Sequence, residues 1–151
     1  MVAKNKEIQD QTILKTAWFS TFINDLRYSA FLQTVDAKLF NRTYDELCTD
    51  PSNAAGQVPE LGIKNLIIAY LRLLVHLERS IERIGFQLLD RTIHARITLY
   101  ASNPADEMAM LLITGKLNCD FAPFDLNIEM ELLSGKADDP LSSAVFSFRK
   151  N

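Results

Sequence analysis

From Glu7 to about Phe40 the apolar residues Ile13, Leu14, Trp18, Phe22, Ile23, Leu26, Leu32, Val35, Leu39 and Phe40 recur mostly three or four positions apart, the period of an amphipathic helix. This spacing predicts one long helix, or two broken near Tyr28-Ser29. Phe19, Tyr28 and Phe31 lie partly off that stripe, so the element is expected to bury more than one face, against the sheet on one side and a partner on another. Between Thr43 and Pro59 the chain turns small and polar around Asp50-Pro51-Ser52-Asn53-Ala54-Ala55-Gly56-Gln57, which predicts a flexible loop over about 49–58. Pro59 suits the first residue of a second helix, where its missing N–H has no intrahelical partner. That helix is expected to run to about Leu89. Its polar positions Asn65, Arg72, His76, Arg79 and Arg83 follow one stripe and leave the rest of its surface for burial.

After Asp90 the period shifts to two. Ile93, Ala95, Ile97 and Leu99 alternate with His94, Arg96, Thr98 and Tyr100, as in a strand with one buried face. A second strand is predicted from Met108 to Cys119 with Leu111, Ile113, Gly115 and Leu117 on one side. A third carries Leu126, Ile128, Met130 and Leu132, and a fourth Ala144, Phe146 and Phe148. Ser102-Asn103-Pro104, Asp120-Phe121-Ala122-Pro123 and Gly135 to Pro140 read as the turns between them. Short connections imply antiparallel neighbours. The predicted fold is therefore α+β, a single domain over 1–151, with two or three N-terminal helices (about 7–89) packed on one face of a C-terminal four-stranded antiparallel meander (about 91–149). Glu129 and Glu131 are expected across from Lys116 and Arg96 on its polar face.

Composition adds limits. The 151 residues are 48% hydrophobic with a formal charge of −3, enough apolar content for a core and too little positive charge for broad capture of nucleic acid. The first ten residues lack the apolar core of a secretory signal, which points to a cytoplasmic protein. The apolar run from Leu61 to Leu77 carries Lys64, Asn65, Arg72 and His76 and is shorter than the ~20 residues a bilayer span needs. It reads as a core helix. Cys48 and Cys119 are far apart and form no metal-ligand spacing, so reduced thiols and no metal are expected.

No motif for catalysis stands out. The two histidines, His76 and His94, have no ligand spacing around them, and no GxSxG elbow occurs. Asp120 with Asp125, and Asp138 with Asp139, sit in turn-rich segments where Asp is favoured for its backbone bonds. Five glycines form no phosphate cradle, and no cofactor is expected. What remains is a binding reading: a small acidic chaperone or adaptor that holds another protein, or a second copy of itself, through Trp18, Phe19, Phe22, Tyr28 and Phe31, assisted by a basic ridge of Arg72, His76, Arg79 and Arg83 at helical spacing. The alternative is a domain for a small apolar or acyl ligand. The closing run from Gly115-Lys116-Leu117 through Phe146-Ser147-Phe148 resembles a thioesterase-like arrangement of a helix wrapped by an antiparallel sheet, which implies an apolar pocket.

Overall fold

A computed structural model describes residues 17–26, 43–49, 60–134 and 144–148. Helix α1 occupies 17–26 and is followed by α2 (Tyr44–Thr49) and α3 (Glu60–Leu74), which ends in a 3-10 turn at Val75–Leu77. The strands are β1 (Ile81–Leu89), β2 (Thr92–Leu99), β3 (Asn127–Ser134) and β4 (Ala144–Phe146), with helix α4 (Pro104–Phe121) between β2 and β3. The fold is α+β, and helices come before the first strand. The sheet has four strands in the order β3-β2-β1-β4.

Two expected elements change identity. Residues 81–89 form a strand, not the end of the long helix, because Ile84 and Phe86 enter the sheet face opposite Ile97 and Ala95. The two-residue connection Asp90-Arg91 closes a β1–β2 hairpin, with Asp90 in the left-handed region at φ 58°, where Asp is tolerated better than most side chains. Residues 108–119 form the larger part of α4, not a strand. Asn103 starts this helix: its side chain accepts from the Asp106 N–H at 3.2 Å while Glu107 Oε2 accepts from the Asn103 N–H at 3.1 Å. With Pro104 in the first turn, this is a helix N-terminus with reciprocal capping. The helix then buries Met110, Thr114, Leu117 and Phe121, a spacing of three and four.

These changes alter the topology. With a helix between them, β2 and β3 pair in parallel, Ile93 beside Ile128 and Ile97 beside Leu132. The sheet is mixed, and the expected purely antiparallel meander is corrected: β1 is antiparallel to both β2 and β4, while β2–β3 is a crossover pair. A short helix over Tyr44–Thr49 precedes the predicted loop and overlaps it only at Thr49; Thr43 Oγ1 accepts from the Glu46 N–H at 3.1 Å and caps it. The rest of the predicted loop, 50–58, and the remainder of the 7–40 helix lie outside the described residues.

One connected core joins the layers. Phe19, Phe22, Ile23 and Leu26 of α1 and eight residues of α3, Ile63 and Tyr70 among them, meet the sheet residues Phe86, Ile97, Ile128 and Phe146. A fully buried aliphatic or aromatic side chain of this kind contributes about 1.5–3 kcal/mol. Polar links fix how α4 sits. Tyr70 Oη and Thr114 Oγ1 are 3.0 Å apart, and Thr114 reaches Met130 Sδ at 3.4 Å, so α3, α4 and β3 meet at one threonine. Asn118 accepts from the Ile128 N–H at 2.7 Å and donates to the Ile128 carbonyl at 2.9 Å. Its carboxamide thus acts as one residue of a neighbouring strand at the β3 edge, where strand addition is otherwise invited.

Asn118→Ala removes both bonds at once. Urea denaturation is expected to show a loss of about 1–2 kcal/mol, the usual cost of stranding partly buried backbone groups, and the Ile128 amide should exchange faster than its neighbours. An unchanged midpoint would mean that water replaces the carboxamide without penalty.

Candidate functional site

Helix α4 presents two unlike faces, and the outer one is the candidate interface. Its inner face is the buried set just described. On the outer side Met108, Leu111 and Leu112 are 57%, 52% and 67% exposed. Ala105, Gly115 and Cys119 of α4 and Ala122 at its C-cap are exposed as well, and their spacing of three and four places all seven on one face. No charged side chain falls within that stripe. Isolated exposed apolar residues are ordinary, whereas a contiguous row along a helix is a candidate interaction surface.

A polar cluster borders the stripe. Lys116 Nζ donates to Asp120 Oδ2 at 3.0 Å, the same oxygen accepts from the Tyr44 hydroxyl, and the ammonium lies 4.8 Å from the centre of the Tyr44 ring. The bond from Tyr44, then that from Lys116, holds the Asp120 carboxyl below its ordinary range. Tyr44 is pushed up, chiefly by burial and next by its bond to Asp120, and burial likewise raises the Cys48 thiol one turn further along α2. A thiol so shifted is a poor nucleophile, and a phenol held by a carboxylate is a donor rather than a base. The cluster ties α2 to α4. A carboxylate in the last turn of a helix opposes the helix dipole, so Asp120 is stabilised there by its two partners.

The residues singled out from the sequence are distributed differently. Phe19 and Phe22 are buried in the core, and Trp18 packs half-buried against it. The Trp18 ring lies 5.7 Å from Phe19 and 6.5 Å from Phe22, with Lys64 Nζ 5.6 Å from both the Trp18 and Phe22 ring centres. Tyr28 and Phe31 lie outside the described residues. The basic ridge is not one helix face: Arg72 is on α3, His76 in the 3-10 turn, Arg79 in the following turn and Arg83 on β1. The helix that would have aligned them ends before Arg79, which is the physical reason for the correction. His76 and Arg79 are exposed; Arg72 and Arg83 are half-buried.

On the polar sheet face Arg96 Nε pairs with Glu131 at 3.2 Å, as expected, while Glu129 faces His94 Nδ1 at 3.3 Å rather than Lys116. Register explains the exchange, since His94 is beside Glu129 and Arg96 beside Glu131 in the parallel pair. Asp125, at φ 60°, turns the chain from α4 towards β3 and lies 3.9 Å from Arg91 Nε. Among the described residues no three His, Cys, Asp or Glu side chains gather as a metal site, and no helix is long and apolar enough to cross a membrane.

Sequence reading missed Met108, Leu111 and Leu112 as a surface. The signal was present in Asn103-Pro104-Ala105-Asp106-Glu107, a cap, an N1 proline and first-turn acids, which convert the following alternation into a helix with two apolar faces. No protein-family model, curated protein or solved structure matches this chain.

The Asp120 cluster sets a pH dependence. A carboxyl lowered in the native state stabilises it fully above the unfolded-chain value of about 4, and that contribution is lost as pH falls through the lowered native value. Asp120→Ala should therefore lower the melting temperature slightly at neutral pH, with the gap from the native protein closing in acid. A gap that persisted or widened in acid would show that Asp120 acts by packing alone.

Proposed function

We propose that this chain is a non-enzymatic protein-binding module, of the adaptor or chaperone kind, whose partner is held on the outer face of α4. The observation that carries this reading is the uncharged stripe through Met108, Leu111 and Leu112, all more than half exposed. Burying such side chains on association is the main favourable contribution to an interface, and Leu and Met on a rigid helix lose little backbone freedom in doing so. Lys116, Asp120 and Tyr44 supply a polar border of the kind that surrounds an apolar interface centre. His76, Arg79 and the exposed part of Trp18 are secondary contacts in this reading. Phe19 and Phe22 contribute from inside the core, so replacing them tests folding before binding. The ligand-domain alternative rested on an antiparallel sheet around a helix, and the sheet is mixed.

A photo-crosslinking side chain in place of Leu112, in cells that express the chain, is expected to give discrete covalent adducts. The same side chain in place of Asp90, at the exposed hairpin tip, serves as the control and should give none. Equal labelling at both positions, or none at either, would remove the reading.

A further inference from the structure

The outer face of α4 has a size pattern that selects its own copy. We infer that the chain forms a two-fold homodimer in which α4 packs antiparallel against α4 of a second copy; this rests on the binding reading above and names the occupant of that surface. The 18 residues of α4 carry large and small outer positions in a reversed order about the midpoint between Ile113 and Thr114. A two-fold axis there sets Leu112 opposite Gly115 of the second copy, Met108 opposite Cys119, and Ala105 opposite Ala122. Leu112 and Met108 each meet a smaller residue, the condition for interlocking helix surfaces.

Gly115 gives an independent reason for close approach. A side chain built at Gly115 would meet nothing within 4 Å, so the fold itself does not require glycine there, and the open notch faces outward beside Leu112. Leu111 is set opposite Lys116, whose alkyl stem can cover it while the ammonium stays with Asp120. The stripe itself carries no charge, and the Lys116 ammonium at its border is neutralised by Asp120 of its own chain. An 18-residue helix is about 27 Å long, and two such faces enclose on the order of 1,000 Å² in total, the lower bound for a specific interface.

The test joins sedimentation with disulfide mapping on the full chain. The native protein is expected to sediment as a dimer, and Leu112→Glu, at an exposed position, to weaken dimerisation about tenfold or more. Met108→Cys should form an intermolecular disulfide with the native Cys119 on air oxidation, identified by peptide mapping, and lose it in Met108→Cys/Cys119→Ser. A parallel pairing would join like positions instead. A native protein that stays monomeric at all soluble concentrations overturns the dimer, as does a dimer unaffected by Leu112→Glu and lacking the 108–119 link. In either case adducts at position 112 to a different protein would leave the binding reading standing, whereas their absence would remove both.

Discussion

Parallel pairing of β2 with β3 is the constraint around which this fold is built. Parallel neighbours start from the same end, so the chain must travel back along the full strand before pairing can resume. The eight residues of β2 extend about 26 Å, and the 18 residues of α4 return about 27 Å. Helix and strand are matched in length, and the short turn at Ala122–Phe124 followed by left-handed Asp125 is all that is needed to enter β3. Arg91 secures that entry: its guanidinium donates to the Phe124 carbonyl at 3.0 Å, and its carbonyl accepts from the Asn127 N–H at 3.3 Å. The hairpin that joins β1 to β2 therefore also holds the start of β3.

Because α4 is the crossover, its inner face is committed. Thr114 and Asn118 are polar residues on that face, and both are satisfied, by Tyr70 and the Met110 carbonyl in one case and by the Ile128 backbone in the other. Buried polar groups that find partners specify a geometry instead of destabilising it. At the N-terminus the Ser80 hydroxyl donates to Asp106, joining the turn before β1 to the first turn of the helix. The helix is thus positioned at both ends, and its outer apolar residues are presented by a rigid element. Surface ion pairs such as Lys116–Asp120 at 3.0 Å add little to this; the burial of α3 and the sheet face supplies most of the stability.

The sequence made parts of this arrangement legible. Strict alternation over Ile93 to Leu99 located β2, and that over Leu126 to Leu132 located β3, because a strand with one wet face repeats every two residues. The long apolar helix after Pro59 was readable up to Leu74. Its end was not, since Leu77-Glu78-Arg79-Ser80 contains neither Gly nor Pro, and Arg72, His76, Arg79 and Arg83 continue a helical spacing by chance into β1. In α4 the buried set of Met110, Leu117 and Phe121 and the exposed set of Met108, Leu111 and Leu112 overlap along the chain, so no single period survives.

By itself, then, the sequence determined the class of the fold, the buried face of β2 and β3, and the absence of any charge excess suited to nucleic acid, because each follows from local periodicity or from composition. Tertiary structure alone decided the mixed topology, the burial of Phe19 and Phe22 and the separation of the basic ridge. It also decided which face of α4 is left to solvent. Those outcomes depend on which elements pack together, and an apolar residue carries the same local signal whether its neighbour is its own core or another molecule.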